Sequence, residues 1–142
     1  MHKINTLGLL GTGVIGVGWA SRALHAGVNI IAFDTNPEMK DCIKDSIENA
    51  FISLDALTEG MNVPKKGRLN FTNDLIEMAK NADFIQENVP EDLNIKRQCL
   101  KIIAEVTDAN VIISSSTSGF MPSDLQKNMP HPERFIVGHP FN

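Results

Sequence analysis

The chain has 142 residues, of which 42% are hydrophobic and 21% charged, so its length supports one hydrophobic core and its composition excludes a disordered chain. Its formal net charge of −4 excludes the basic face that nucleic-acid binding requires. Without a membrane-length apolar run or a signal-peptide pattern, we expect a cytoplasmic domain with no nucleic-acid or membrane partner.

Strand-length apolar runs alternate with segments of helical periodicity along the whole chain. The predicted strands cover residues 6–10, 29–34, 69–72, 84–87, 111–115 and 135–137. The predicted helices cover residues 14–25, 37–59, 75–79 and 93–106, and residues 60–68 are predicted to form a loop. Such alternation predicts a parallel sheet, since each crossover must return the chain to the same sheet edge. The predicted fold class is therefore α/β, a Rossmann-type doubly wound parallel sheet with helices on both faces, in one domain spanning residues 1–142.

The first predicted strand runs into a glycine-rich turn and then a helix. The turn consists of Gly11, Thr12, Gly13, Val14, Ile15 and Gly16, a G-x-G-x-x-G pattern. Gly11 makes the tight turn, Gly13 lets a pyrophosphate approach bare backbone, and Gly16 lets the helix pack closely on the strand. Because free N–H groups and the positive helix end attract phosphates, the motif predicts a dinucleotide site.

The second predicted strand ends at Asp34, 18 residues after Gly16, near the offset expected for a carboxylate that binds ribose. A carboxylate accepts hydrogen bonds from the 2′-hydroxyl and repels a 2′-phosphate, and Thr35 and Asn36 follow where an NADP site favours Arg. The expected cofactor is therefore NAD. Alternatively, Asp34 caps the helix that Pro37 begins, and the two roles are compatible.

The cysteines and the histidines show no metal-binding spacing. Cys42 and Cys99 lie far apart in predicted helices without a C-x-x-C motif, so we expect two reduced, packed thiols. His131 and His139 each precede a proline but lack Cys or carboxylate companions at ligand spacing. No metal is predicted.

Three polar segments follow predicted strands, at residues 87–96, 114–118 and 139–142. In doubly wound folds ligands bind beyond the carboxyl ends of the strands. His139 is the candidate base, because an unperturbed pKa of about 6.5 suits uptake of an alcohol proton as a hydride leaves. A histidine after a strand is more often structural, and the serine-rich segment also fits a polar turn that caps the helix after Pro122. Spacing alone leaves both alternatives open.

Four motifs follow one another along the chain. They are the glycine turn at residues 11–16, Val89-Pro90-Glu91-Asp92-Leu93 with Lys96, Ser116-Thr117-Ser118, and Gly138-His139-Pro140-Phe141-Asn142. In order and spacing they resemble the L-3-hydroxyacyl-CoA dehydrogenase superfamily, and the resemblance covers the whole chain.

The resemblance implies a role for each matching residue. His139 matches the catalytic base, and Ser118 matches the serine that hydrogen-bonds the substrate oxygen beside the nicotinamide. Glu91, Lys96 and Asn142 match residues that contact NAD, with Asn142 also near the reacting centre. Without the resemblance, Glu91 and Lys96 equally suit a solvated pair at a helix start.

The resemblance also implies parts that these 142 residues lack. Family members continue to a glutamate that pairs with the catalytic histidine, and then to an all-helical C-terminal domain that closes over the substrate and forms a homodimer. We therefore expect this chain alone to bind NAD without appreciable catalysis.

Segments 84–91, 115–123 and 138–142 resemble the superfamily members that oxidise the 3-hydroxyl of L-carnitine to 3-dehydrocarnitine. From Glu38 to Glu59 the chain holds six acidic residues and two lysines, a balance that repels a polyanion such as coenzyme A. The expected small-molecule substrate is therefore L-carnitine. L-gulonate, an L-3-hydroxyacyl-CoA, and an NAD-binding module without catalysis are the alternatives.

Overall fold

The computed structural model describes residues 3–140. Its strands are β1 (Thr6–Leu10), β2 (Asn29–Phe33), β3 (Leu69–Thr72), β4 (Phe84–Glu87), β5 (Ile112–Ser115) and β6 (Phe135–Val137). Its helices are α1 (Val14–His25), α2 (Met39–Leu57), α3 (Leu75–Lys80), α4 (Leu93–Val106) and α5 (Pro122–Leu125), and a 3₁₀ turn covers Pro132–Arg134. No helix in this described part of the chain is long and apolar enough to cross a membrane.

The six strands form one parallel sheet in the order β3-β2-β1-β4-β5-β6. The chain begins at β1 in the middle of the sheet, winds outward to β3, and returns to β4 on the other side of β1. The strand order therefore reverses between β1 and β4, which is where doubly wound sheets bind ligands. This confirms the predicted fold class.

Alternate strand residues supply two apolar cores, one on each face of the sheet. On one face Leu9 packs with α1 and with Ile43 of α2. On the other face Ile85 and Ile113 pack with α3, α5 and Leu100 of α4. Helices thus cover both faces, so the central strands are buried on both sides and favour continuous apolar sequence.

Some predicted boundaries were wrong by one or two residues. β2 ends at Phe33, so Asp34 follows the strand. The second helix begins at Met39 rather than Pro37, because residues 36–38 form a tight turn before regular helical bonds start. It ends at Leu57, α3 extends to Lys80, and β5 begins at Ile112.

The predicted loop and thiols have different outcomes. Residues 60–68 connect α2 to β3 without a helix or strand, as predicted. Cys99 is half-buried, but Cys42 is exposed, so the prediction of two packed thiols was wrong for Cys42. The physical reason is that α2 buries only Ile43 and Ile47, and Cys42 lies off that face.

Candidate active site

The glycine turn joins β1 to α1 at the carboxyl edge of the sheet. Gly11 has φ 87°, and a Cβ there would lie 2.8 Å from the Asn88 carbonyl oxygen. A Cβ on Gly16 would lie 2.2 Å from the Gly11 oxygen, so this glycine lets the helix pack against the turn. A Cβ on Gly13 would meet no described atom within 4 Å. The first and third glycines are therefore needed by the fold, and the second leaves open space for a ligand.

Asp34 is bound to the glycine turn rather than to a helix end. Its Oδ2 accepts hydrogen bonds from the Thr12 amide at 2.9 Å and the Thr12 hydroxyl at 2.7 Å, and its Oδ1 accepts one from the Asn36 amide at 3.0 Å. Burial raises the pKa of this carboxyl, but these bonds outweigh burial and hold the pKa below its usual value. The alternative role as a helix cap was wrong, since Glu38 is the N-cap of α2 and makes no side-chain cap bond.

A cavity of about 590 Å³ lies over the glycine turn. Gly11, Gly13 and Asp34 line one side, and Val89 and Cys99 line the other. The donor set fits NAD: bare backbone and the N-terminal end of α1 suit a pyrophosphate, and an ionised carboxylate suits ribose hydroxyls. Gly13 is the N-cap of α1 and has no side chain that could bond to the first amides of this helix, so no cap side chain competes with a ligand for them.

A charged pair missed by the sequence analysis is buried beside this cavity. Glu87 ends β4 and is 0% exposed, and Lys96 of α4 is 1% exposed. The Lys96 Nζ donates to Glu87 Oε1 at 2.7 Å and to the Val89 carbonyl at 3.0 Å. The solvated alternative was therefore wrong for Lys96. The available signal was polar sequence, Gln86-Glu87 and Ser114-Ser115, in strands that should be apolar.

Glu91 anchors the loop that carries Ser118. Its Oε1 accepts hydrogen bonds from the Thr117 hydroxyl at 2.6 Å and from the amides of Ser118 and Gly119 at 3.1 and 3.0 Å. Its Oε2 lies 3.4 Å from the Lys96 Nζ. Burial raises the pKa of the Glu91 carboxyl, but these hydrogen bonds and the ammonium group lower it below its usual value. Glu91 thus uses its Oε1 to hold the main chain of the Ser118 loop in place.

A second polar layer lies on the opposite face of the sheet. The buried Gln86 donates from Nε2 to the Ser116 hydroxyl at 2.7 Å, and the Trp19 indole also donates to this hydroxyl, at 3.2 Å. The Ser116 hydroxyl in turn donates to Asn88 Oδ1 at 2.7 Å. Gln86 Nε2 also lies 3.4 Å from the carbonyl of Gly138, the residue before His139. Sequence analysis did not identify Gln86, Asn88 or Trp19 as site residues.

The serine-rich segment divides between the sheet and the site. Ser114 and Ser115 belong to β5 and are buried, whereas Ser118 is exposed. Met121 is the N-cap of α5, so the alternative that these serines cap that helix was wrong.

A cavity of about 290 Å³ brings most of the predicted reaction residues together. It is lined by Ile15, Asn88, Val89, Glu91, Lys96, Ser116, Ser118 and His139. Ser118 and the exposed His139 therefore face one space beside the glycine turn. Val89 lines both this space and the 590 Å³ cavity. Asn142 lies outside the described residues. Within residues 3–140 no group of three or more His, Cys, Asp or Glu side chains is placed to hold a metal.

Sequence comparisons point to one family. The model of the 3-hydroxyacyl-CoA dehydrogenase NAD-binding domain matches residues 6–142. L-carnitine dehydrogenase from Mesorhizobium japonicum is 42% identical over 143 aligned residues, covering 100% of this chain and 39% of that protein. The same enzyme from Oceanobacillus iheyensis is 45% identical over 136 residues, covering 94% and 43% respectively. The chain therefore spans about two fifths of the length of these curated relatives.

Solved structures of two dehydrogenases share this fold. FHMPC 5-dehydrogenase, an NAD⁺-dependent dismutase, superposes with a TM-score of 0.88 at 31% identity, over 99% of this chain and 45% of that chain. A 3-hydroxybutyryl-CoA dehydrogenase from Escherichia coli K12 superposes with a TM-score of 0.85 at 22% identity, over 99% and 30%. The second likeness concerns the fold alone.

Proposed function

The chain belongs to the 3-hydroxyacyl-CoA dehydrogenase family as its NAD-binding domain, and we propose that it is the cofactor half of an L-carnitine 3-dehydrogenase. The observation that supports an enzymatic role is the 290 Å³ cavity, which places Ser118 and His139 around one space next to the glycine turn. The substrate is supported by identities of 42% and 45% to L-carnitine dehydrogenases across nearly the whole chain.

The glycine turn and Asp34 bind and orient the cofactor. Main chain at Gly11 and Gly13, with the N-terminal end of α1, holds the pyrophosphate, and Asp34 accepts hydrogen bonds from the adenosine ribose. When bound, NAD supplies the hydride acceptor for the oxidation. Because Thr12 bonds to Asp34, the proposed ribose-binding carboxylate is fixed to the proposed phosphate-binding turn.

His139 and Ser118 act on the alcohol. The imidazole of His139 accepts the proton of the 3-hydroxyl group as the hydrogen on C3 leaves with its electron pair, which yields a ketone. The Ser118 hydroxyl hydrogen-bonds the substrate oxygen and thereby fixes the position of the reacting carbon. Glu91 holds the Ser118 main chain, so the serine is presented from an anchored loop.

The substrate assignment is tested with the full-length protein. We expect NADH formation with L-carnitine at a higher kcat/KM than with L-gulonate or L-3-hydroxybutyryl-CoA. A higher value for either competitor would refute L-carnitine as the substrate but leave the oxidation chemistry intact. Absence of NADH formation with all three alcohols would refute the enzymatic proposal.

One observation favours the acyl-CoA alternative. A separate cavity of about 600 Å³ beside β3 is lined by Lys40 and Lys44, the two lysines of α2, together with Phe71 and Thr72. These ammonium groups suit phosphate, although Asp41 lies 3.6 Å from the Lys44 Nζ and Glu77 also lines the cavity. If this cavity serves coenzyme A, replacing both lysines by Ala will raise KM for L-3-hydroxybutyryl-CoA and not for L-carnitine.

We also propose that the full-length enzyme is a cytoplasmic homodimer, as the family resemblance implies. Light scattering on the full-length protein tests the oligomeric state. A monomer would refute the assembly proposal without affecting the catalytic one.

A further inference from the structure

Among residues 3–140, Glu87 is the one buried acid, and it contacts Ser115, Val89 and Lys96 beside the reaction cavity. It is fully buried and lines neither the 590 Å³ nor the 290 Å³ cavity. Its Oε2 accepts a hydrogen bond from the Ser115 hydroxyl at 2.5 Å. Its Oε1 accepts bonds from the Val89 amide at 2.6 Å and from the Lys96 Nζ at 2.7 Å. A group so placed acts on a ligand only through its neighbours.

The Glu87–Lys96 pair binds both main-chain polar groups of Val89. Glu87 takes the amide of Val89, and Lys96 donates to its carbonyl. Val89 lines both cavities, so its position affects the cofactor space and the reaction space together. Since both polar groups of the residue are bound to charged side chains, its position depends on the pair.

The same pair reaches the Ser118 loop through Glu91. Lys96 lies 3.4 Å from Glu91 Oε2, while Glu91 Oε1 accepts the amides of Ser118 and Gly119. The contacts therefore run from Glu87 to Lys96, from Lys96 to Glu91, and from Glu91 to the loop. Each link involves a charged group. The Glu87–Lys96 bond is fully buried, where such bonds are strongest, whereas the bonds from Glu91 to the loop amides are exposed.

We propose that Glu87 is a positioning residue that, through Lys96 and Glu91, sets the Ser118 loop and the main chain at Val89 relative to each other. Its importance for turnover rests on the proposed function, but its control of the loop does not. In this arrangement Lys96 and Glu91 serve the reaction by holding protein main chain as well as by lining the cavity.

The test removes the charge of Glu87 while keeping its shape. In Glu87→Gln the amide still offers an acceptor to Val89 or Lys96, and Ser115 can accept from the new N–H group. We expect the Ser118 and Gly119 amides to exchange with solvent about tenfold faster by NMR, a change of about 1.4 kcal/mol. Glu105→Gln, which removes an exposed acid of α4 that is paired with Lys101 at 3.8 Å, is the matched control and should leave this exchange unchanged.

A second variant guards against unfolding caused by an unpaired buried ammonium. Glu87→Gln/Lys96→Gln replaces the ion pair by two amides, and we expect the same loop exchange as in the single variant, because the two residues act as one unit. Loop exchange within twofold of the unaltered protein in both variants would overturn the proposal. So would a lowered melting temperature with loop exchange and kinetic constants unchanged, since that pattern indicates a purely structural role.

Kinetics separates this inference from the proposed function. If the protein oxidises L-carnitine, Glu87→Gln should lower kcat more than it weakens NAD binding measured by calorimetry. If the protein is active and Glu87→Gln changes neither the loop exchange nor kcat, the positioning role alone is refuted. A protein inactive on every alcohol tested, whose loop still loosens in Glu87→Gln, would refute the enzymatic proposal alone.

Discussion

The two halves of the site are built from different materials. The half formed by β1, α1 and β2 presents main chain, with open space at Gly13 and one carboxylate, Asp34. The half formed by β4, α4, β5 and the segment after β6 carries Ser118 and His139 and is supported by buried side chains, among them Glu87 and Lys96. A nucleotide phosphate needs amides and room, whereas a reacting alcohol needs a few polar groups at fixed positions. Substitutions in the two halves should therefore change different quantities.

The largest difference between the effects on turnover and on NAD affinity is expected from His139→Gln in the full-length enzyme. Loss of a general base costs typically 10²–10⁴-fold in turnover, whereas NAD affinity should stay within about threefold because the base acts in the transition state. His131→Gln is the matched control, since His131 is exposed and pairs with Glu133 at 3.3 Å. Normal turnover of His139→Gln would show that the second half does not supply the base.

Asp34→Ala should instead weaken NAD binding. Removing a charged hydrogen-bond partner costs about 1.5–3 kcal/mol, so NAD should bind roughly 10–100-fold more weakly by calorimetry. The preference for NAD over NADP should also be lost, because the repulsion of a 2′-phosphate disappears. Asp41→Ala, at an exposed position of α2, should change neither quantity. Equal affinity of the unaltered protein for the two cofactors would contradict the role of Asp34.

Two glycine substitutions in the first half should have different effects, one on stability and one on NAD binding. Gly16→Ala places a methyl group 2.2 Å from the Gly11 oxygen and should lower stability by about 1–3 kcal/mol. Gly13→Ala meets no described atom and has a normal φ of −68°, so the melting temperature should hold. NAD affinity of Gly13→Ala should nevertheless fall about tenfold, or about 1.4 kcal/mol, because the methyl group occupies pyrophosphate space. Unchanged affinity would remove Gly13 from the phosphate site.

The smallest effect is expected from pH. The pKa of the Asp34 carboxyl lies below its ordinary value of 3.8, so its stabilising bonds are fully present above that value. They are lost only as the pH falls through the lowered pKa of the folded state. Titration of Asp34 should therefore leave NAD affinity level between about pH 8 and pH 5. A fall in affinity centred above pH 5 that is absent in Asp34→Ala would contradict this assignment.

The sequence predicted the first half more completely than the second. Periodicity and the glycine spacing located β1, α1, β2 and Asp34 because these features depend on neighbours in the chain. The contacts of Gln86 with Ser116 and of Glu87 with Lys96 depend on strand register and on how α4 packs, which spacing does not contain. Family resemblance indicated Glu91 and Lys96, but their binding to the Ser118 loop and to Val89 required three-dimensional positions.

The fluorescence of Trp19 can report on the contact between the two halves of the site. Trp19 lies on α1, in the first half, but its N–H group bonds Ser116, in the second half. These 142 residues hold one Trp and no Tyr, so their indole fluorescence comes from this side chain alone. The wavelength of maximum emission should change when the bond between Trp19 and Ser116 is lost. Quenching of this emission by bound NADH should measure occupancy of the cofactor site without an added dye.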